Sequence, residues 1–408
     1  MEPQQRTRGV EDLTTAGCGI HPDAQALVYR APDITKKVPG TVWTGQLKTA
    51  KGPANAVVRM PRQTLWNGKL MIGGSPAVRS EYALDMLLSD IVLQAGYAFA
   101  ACDKATPGLI LLDPSRSMEE WVDAYGQLQE TALKLVHDAY ERAPERTYIA
   151  GVSNGGYVTR RMLELHPEWY DGGVEWEGVL WNAQTRHLLS CLPVYVQDYP
   201  VYSNWRGDRT SHEQNQAFER LLAAGLNPNS SPYWGTYFQV YWVLSLWLYG
   251  RNLDPDWEPF ASPWSNDWLH DPSPLSNYPW QKRMDILAKR IDPIANSGRL
   301  EKPLLSVAGN WDCLVAFEHN AAAYARLVEQ AGAGKWHRLY EIEGGNHVDG
   351  LLKDNRGAQQ PVLPYFEAAM MHLERWVEEG ILPPESGQYD SISQFAPAVE
   401  LKSGALRD

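Results

Sequence analysis

The sequence predicts an α/β fold: a mostly parallel, doubly wound sheet with a large, mainly helical insertion. Short apolar runs alternate with longer amphipathic segments through the first 181 residues, as in sheets whose parallel strands are joined by crossover helices. The alternation then stops and resumes near residue 303. The interval between holds about half of the seventeen tryptophans, which indicates an insertion with an aromatic core of its own. We therefore predict a core of residues 1–181 and 300–408 and a lid of residues 182–299.

Strands are predicted where apolar or alternating runs are bounded by Gly, Pro or Asn. Residues 1–25 are expected to be irregular. Three strands then form an antiparallel edge, at 26–30, 41–50 and 54–60. The parallel strands follow at 69–72, 97–102, 148–152, 173–177, 304–308 and 337–342.

Helices are predicted from apolar residues at helical spacing, and one of them also has a capping signal. Ser117 and Glu120 form the Ser-x-x-Glu pattern of a helix start. The predicted helices are 80–95, 117–145, 157–166, 316–330 and 362–379. The polar tail from residue 383 is expected to lie on the surface.

Composition excludes several classes of function. The chain has 408 residues, 44% of them apolar, and a formal net charge of −12, so nucleic acid and anionic membranes are not expected partners. No secretory leader or bilayer-spanning run is visible. The four cysteines lack zinc-ligand spacing. Free thiols favour a reducing compartment, the cytoplasm, and the alternative is a secreted protein whose leader has been trimmed. A small-molecule ester is the expected partner, and a homodimer is left open.

The strand at 148–152 ends in the motif Gly-x-Ser-x-Gly, formed by Gly151, Ser153 and Gly155. With a strand before it and a helix after it, this is the pattern of a nucleophile elbow. The sharp turn requires the two glycines and presents the serine hydroxyl at the mouth of the sheet. Ser153 is therefore the predicted nucleophile.

A serine hydroxyl needs a base, and the base needs an acid that orients it. Of the ten histidines, only His347 follows a predicted strand through a glycine turn, so it is the predicted base. Asp312 follows the preceding strand and completes the order Ser, Asp, His. Glu177, at the end of the strand after the elbow, is the alternative acid.

Two backbone N–H groups are expected to bind the oxyanion. The first belongs to Asn154, at the start of the helix after the nucleophile. The second should come from the loop after the strand at 69–72. Because Pro76 has no N–H, Gly74 or Ser75 is predicted to donate it. No metal site and no cofactor are predicted, since the chain contains no calcium loop, Walker loop or dinucleotide motif.

Four segments of this sequence resemble the tannase and feruloyl esterase family of the α/β-hydrolase superfamily. They are Trp-Asn-Gly-Lys-Leu at 66–70 before Gly-Gly at 73–74, Gly-Tyr-Ala at 96–98, the elbow at 151–156, and His-Pro-Glu-Trp-Tyr-Asp-Gly at 166–172. The resemblance implies an α/β hydrolase with a large lid that acts on carboxylic esters, often of aromatic acids. The family has cysteines before the nucleophile and after the catalytic histidine, where this chain has Val152 and Val348.

Together these patterns predict a serine esterase that cleaves a carboxylic ester or lactone of a bulky apolar or aromatic substrate. Trp176, Glu177 and Trp181 are expected to border the substrate pocket. Two other functions remain open: an acyltransferase or cyclising enzyme with the same triad, and a non-catalytic binding protein on the hydrolase fold.

Overall fold

A computed structural model describes residues 5–113, 115–258, 278–354 and 359–396. The strands of the core belong to one sheet. They are β1 (Arg6–Val10), β2 (Gly40–Lys48), β3 (Pro53–Pro61), β4 (Lys69–Gly74), β5 (Ala98–Cys102), β6 (Arg146–Val152), β7 (Gly172–Trp176), β8 (Leu304–Gly309), β9 (His337–Ile342) and β10 (Gly387–Tyr389).

The spatial order of this sheet is β1-β2-β3-β5-β4-β6-β7-β8-β9-β10. In this order, the pairs β1–β2, β2–β3 and β3–β5 are antiparallel. All pairs from β5 through β4 and β6 to β10 are parallel. The predicted mostly parallel sheet with an antiparallel edge is therefore confirmed. The parallel strands end at one edge of the sheet, which is where open α/β sheets bind their ligands.

Helices cover both faces of the sheet, as the predicted doubly wound fold requires. Along β6, Ile149 belongs to one hydrophobic core and its neighbours Tyr148 and Ala150 to the other, because successive side chains of a strand point to opposite faces. One core includes residues of the helices Glu120–Tyr140 and Asn154–Leu165. The other includes residues of Asp90–Gln94 and Leu363–Glu379. The remaining core helices are Thr15–Cys18, Pro22–Gln25, Ala321–Gln330 and Ile392–Phe395.

The two ends of the chain differ from the sequence-based expectation. Residues predicted to be irregular include β1, and the tail predicted to lie on the surface adds β10 to the sheet, parallel to β9. The strand predicted at 26–30 does not form. Both added strands are short, at the sheet's edges, and mostly exposed. Such strands bury too little of either face to produce an alternating apolar pattern.

The mainly helical insertion lies between β7 and β8, as predicted. Its aromatic side chains pack on one another, with ring centroids 5.1 Å apart for Tyr195 and Trp242 and 5.3 Å apart for Tyr202 and Trp234. Trp264 and Trp268 lie outside the described residues. The boundaries assigned to core and lid stay a prediction. Within the part of the lid that the structure describes, the α-helices are Leu188–Tyr202, Ser211–Ala223, Trp234–Tyr237, Val243–Leu253 and Met284–Ile291.

The described parts of the chain contain no helix that is both long and apolar enough to span a bilayer. All four cysteines are free thiols, and three of them are buried.

Candidate active site

The elbow between β6 and the helix Asn154–Leu165 holds Ser153 in an unusual conformation. Its backbone angles are φ 58° and ψ −119°, a region that side-chain-bearing residues rarely occupy and that marks strain at functional sites. The N–H of Ser153 donates to the carbonyl of Trp176 at 2.8 Å, which fixes this strained residue to the neighbouring strand β7. The hydroxyl is thereby held at the carboxyl edge of the sheet.

Three glycines allow the backbone to pass through this point. A Cβ on Gly155 would lie 1.8 Å from the carbonyl oxygen of Gly74, and a Cβ on Gly151 would lie 2.4 Å from the carbonyl oxygen of Gly155. Both obstacles are backbone atoms, so neither can move away as a flexible side chain would. The glycines of the motif are therefore required by close packing of the elbow on β4.

The structure brings the three residues of the predicted triad together. The Nε2 of His347 lies 3.1 Å from the Oγ of Ser153, and the Nδ1 lies 2.7 Å from the Oδ2 of Asp312. All three residues are buried. The second carboxylate oxygen of Asp312 accepts the N–H groups of Leu314 and Val315 at 2.6 and 2.7 Å. Both oxygens of this carboxylate are thus held in place.

The alternative acid, Glu177, does not contact His347. Its Oε1 accepts the N–H of Gly309, and among the described residues its Oε2 has no hydrogen-bond partner. Burial and the neighbouring carboxylate of Asp312 raise the pKa of Glu177 well above its usual range. Glu177 therefore lies beside the triad without contacting the histidine, and Asp312 is the acid that meets it.

A further residue, Asn346, connects both catalytic loops to the lid. Its Oδ1 accepts the N–H of His347 at 2.8 Å, the N–H of Cys313 at 3.2 Å and the lid hydroxyl of Tyr237 at 2.8 Å. A second lid bond runs nearby, from the Nε1 of Trp242 to the carbonyl of Cys313 at 2.6 Å. Asn346 was not among the residues predicted from the sequence, although it directly precedes the predicted base.

Asn154, the predicted first oxyanion donor, lies at the start of the helix after the elbow, next to Ser153. Asn154 is the first residue of its helix and borders the cavity above Ser153, so its N–H has no carbonyl partner within the helix. Its side-chain amide donates to the hydroxyl of Tyr249. The backbone N–H remains available to an oxyanion.

The predicted second donor requires a correction. Ser75 is fully buried, and its N–H already donates to the hydroxyl of Tyr125 at 2.9 Å. Its carbonyl accepts the Nζ of Lys104 at 2.6 Å. Gly74 is part of β4 and packs on the backbone of Gly155. Neither residue borders the cavity.

The same loop offers another N–H group, that of Ala77. Ala77 borders the cavity together with Ser153 and has a positive φ of 44°, a conformation that costs free energy for alanine. No hydrogen bond to its N–H is recorded among the described residues. The sequence could have indicated Ala77, because Pro76 has no N–H group and Ala77 is the next residue that has one.

A cavity of about 250 Å³ opens above Ser153 and His347. Its core wall consists of residues at the strand ends and in the loop 76–79, and its lid wall comes mainly from residues 240–249. Most of the lining is aliphatic. The apolar lining residues include Leu27, Val78, Val152, Val179, Leu188, Val240, Leu244, Leu248, Leu314, Val315 and Val348.

The three predicted substrate contacts are not among the residues that line this cavity. Trp176 is fully buried and packs against Phe366, at a centroid distance of 5.8 Å, on the far side of the sheet. Glu177 lies behind Asp312. Trp181 is covered by Tyr249, whose ring centroid lies 5.7 Å away. The role of these three residues as substrate contacts therefore stays a prediction, and this cavity gives it no support.

Within the described residues, no group of three or more His, Cys, Asp or Glu side chains could hold a metal ion.

No protein-family model and no curated protein matches this sequence. Solved structures match it well. Feruloyl esterase B from Aspergillus oryzae superimposes with a TM-score of 0.62 and 13% identity over 94% of this chain and 88% of its own. An esterase from Aspergillus oryzae gives a TM-score of 0.58 with 12% identity, over 94% of this chain and 88% of that one.

Tannin acyl hydrolase from Aspergillus niger gives a TM-score of 0.52 with 14% identity, over 93% of this chain and 83% of that one. At such identities the likeness concerns the fold, and at that level it confirms the resemblance seen in the sequence. This chain has the α/β-hydrolase fold of these esterases.

Proposed function

We propose that this protein is a serine hydrolase that cleaves a carboxylic ester through an acyl-enzyme. One observation carries the proposal: the continuous contact from Asp312 through His347 to Ser153, at 2.7 and 3.1 Å. These distances lie within the range that proton transfer between nucleophile, base and orienting acid requires. The strained conformation of Ser153 is further support, because such strain persists where function requires it.

In the proposed acylation, the Oγ of Ser153 attacks the ester carbonyl carbon while the Nε2 of His347 takes the hydroxyl proton. Asp312 accepts a hydrogen bond from the Nδ1 and stabilises the imidazolium that forms. Collapse of the tetrahedral intermediate breaks the bond to the alcohol oxygen, which receives the proton from His347. The acyl group remains on Ser153 as an ester.

The N–H groups of Asn154 and Ala77 are proposed to donate hydrogen bonds to the negatively charged oxygen of the tetrahedral intermediate. The N–H of Asn154 is also favoured by the positive end of its helix dipole. One such donor typically contributes about 10²–10³-fold to kcat. In deacylation, water transfers a proton to His347 while its oxygen bonds to the acyl carbon. The bond from the acyl carbon to the Oγ of Ser153 then breaks, and the Oγ recovers the proton from His347.

The proposed substrate is an ester, or a lactone, with a bulky apolar or aromatic group. The aliphatic lining of the cavity favours such groups by the hydrophobic effect. The fold is shared with hydrolases named for feruloyl and tannin substrates, which makes esters of aromatic acids the first compounds to test. The proposed setting is the cytoplasm, where free thiols such as those of this chain persist.

The experiment is mass-spectrometric detection of a covalent adduct. The protein is incubated with a fluorophosphonate and with a panel of aryl, alkyl and lactone esters, and the modified peptide is identified. We expect the adduct on Ser153 and not on Ser245, a second serine in the same cavity that has no histidine partner among the described residues. Ester adducts should turn over to free acid.

Two variants complete the test. Ser153→Ala should abolish the adduct and the hydrolysis, whereas Ser203→Ala, at an exposed lid serine, should change neither. Equal hydrolysis by the parent and Ser153→Ala would contradict the proposal. If an added alcohol captures the acyl group in preference to water, the protein is an acyltransferase.

A further inference from the structure

The catalytic cavity is mainly apolar, and one side chain in its lining has a permanent positive charge. Arg79 is the only arginine among the described residues that line it, and none of them is a lysine, aspartate or glutamate. The Arg79 side chain is 25% exposed, which places it where the cavity meets solvent. The triad acid Asp312 lies behind His347 and does not line the cavity. A cation at the mouth of a mainly apolar cavity favours an anionic group on the ligand.

The contacts of Arg79 differ from those of an arginine used for structure. Arg59 forms a two-pronged ion pair with Asp85 at 2.6 and 2.7 Å and is 3% exposed. Arg79 contacts Asp23 only through Nη1, at 3.5 Å to the carboxylate and 3.4 Å to the carbonyl. No contact of its Nε or Nη2 is recorded among the described residues.

Asp23 has a closer partner than Arg79. Its Oδ2 accepts the N–H of Ser80 at 2.9 Å, so this carboxylate is held by the backbone whether or not the arginine is present. Burial alone would raise the pKa of Asp23, but hydrogen bonds from Ser80 and the positive charge of Arg79 outweigh burial, so the pKa is lowered. Arg79 can therefore turn toward a ligand without leaving Asp23 unpaired.

The lid supplies two more donors to the same cavity. Tyr241 and Ser245 both line it, are half-buried, and have no recorded hydrogen bond from their hydroxyls among the described residues. They lie four residues apart on one continuous helical segment, so they share a face. Burial raises the pKa of the Tyr241 phenol, and Arg79 is close enough to oppose part of this effect. Because the pKa stays raised, the Tyr241 hydroxyl remains a proton donor.

We propose that Arg79, together with the hydroxyls of Tyr241 and Ser245, binds a carboxylate at the end of the substrate remote from the scissile ester. This inference rests on the proposed esterase function and narrows its substrates to amphipathic, singly anionic esters. The apolar middle of such a molecule lies against the aliphatic lining, and the charged end stays near solvent. An Arg–carboxylate pair of this kind can be two-pronged, because the Nε and Nη2 atoms are both free.

The net charge of −12 does not oppose this preference at close range. Charges separated by more than about 8 Å are screened at physiological ionic strength, so the local guanidinium dominates over distant surface carboxylates. Raised salt should therefore weaken the preference without abolishing it, since the site is partly buried.

The experiment compares two esters with the same leaving group and similar length: the mono-4-nitrophenyl ester of pentanedioic acid and 4-nitrophenyl hexanoate. We expect the protein to hydrolyse the anionic ester with kcat/KM about tenfold higher, the typical effect of one charge-assisted hydrogen bond. Arg79→Gln should reduce that ratio to about one, and Arg79→Lys should preserve part of it. Arg62→Gln, at an exposed arginine outside the cavity, is the matched control.

A binding measurement separates this inference from the esterase proposal. Calorimetry with Ser153→Ala protein gives the affinities of 4-phenylbutanoate and its uncharged amide without any turnover. We expect the carboxylate to bind about tenfold more tightly than the amide, and the difference to vanish when Arg79→Gln is added. Equal affinities, or a difference that persists without Arg79, would overturn the inference even if ester hydrolysis is found. Absence of hydrolysis with an Arg79-dependent difference would instead overturn the esterase proposal.

Discussion

The two walls of the catalytic cavity are built on different principles. The core wall consists of strand ends and tight turns, where Asp312, His347 and the backbone of Ser153 each have partners at 3.1 Å or less. The lid wall consists of a helical segment that presents aliphatic and aromatic side chains, and the hydroxyls of Tyr241 and Ser245 have no recorded partner there. The core wall fixes reacting atoms, while the lid wall defines the shape and polarity of the space around them.

The two walls are nevertheless joined at the triad. Tyr237 and Trp242 of the lid bond to Asn346 and to the carbonyl of Cys313, beside the catalytic histidine and the catalytic acid. We therefore expect substitutions in the core wall to change kcat and substitutions of lid side chains to change substrate preference. Removal of a bond that joins the two walls should change kcat even though the substituted residue belongs to the lid.

The largest effect is expected in the core wall, for Asp312→Asn. The amide cannot stabilise an imidazolium and favours the wrong tautomer of His347, so kcat should fall by about 10⁴-fold with little change in KM. Steady-state kinetics with an activated ester measure this. Glu177→Gln, at the neighbouring strand end, is the matched control and should lower kcat less than about threefold. Similar losses in both variants would contradict the assignment of Asp312 as the acid.

The next effect tests the joint between the walls. Tyr237→Phe removes one of three hydrogen bonds to Asn346 Oδ1 and leaves the aromatic packing in place. Because one such bond is worth about 1 kcal/mol, kcat should fall by about three- to tenfold while KM stays similar. Tyr202→Phe removes a lid hydroxyl with no recorded bond and should leave kcat unchanged. A change in KM alone would show that the joint does not position the triad.

The lid wall itself is tested by Leu244→Ala. Leu244 lines the cavity, and its truncation enlarges the pocket by several methylene groups. The ratio of kcat/KM between a long-chain and an acetyl ester should change by about fivefold, because hydrophobic pockets discriminate modestly. The kcat for the acetyl ester should remain within about twofold. An equal loss for all esters would mean that this wall, too, positions the reacting groups.

The smallest effect concerns the stability of the core wall. The pKa of Glu177 is raised in the folded state, so above the unfolded pKa of about 4.3 the unfolded chain loses a proton that the folded chain retains. The contribution of Glu177 to stability is therefore complete below that pH and is lost as the pH rises toward its folded pKa. Glu177→Gln should raise the melting temperature by about 1–3 °C at pH 8 and less at pH 5.

Differential scanning fluorimetry between pH 5 and pH 8 measures this difference. A melting-temperature difference that does not grow with pH would contradict the raised pKa of Glu177. Glu343→Gln, at a partly exposed carboxylate hydrogen-bonded to Asn310, is the control and should not show the same pH trend.

Local sequence patterns were sufficient to predict the α/β sheet, the helical insertion and the elbow at Ser153. Each of these depends on neighbours in the chain: apolar periodicity for the strands, and glycines two residues to either side of the serine for the turn. The positions of Asp312 and His347 could also be predicted, because parallel strands end at one edge and bring their following loops together.

Details that depend on residues far apart in the chain could be established only from the folded protein. Asp312 rather than Glu177 meets His347 because of how the loops after β7 and β8 turn. Ser75 is excluded from the oxyanion site by Tyr125, fifty residues away in the chain, and Ala77 lies at the cavity instead. Asn346 meets Tyr237 across 109 positions of sequence. Local pattern encodes where a strand ends, whereas packing between distant segments determines which side chains and N–H groups face the cavity.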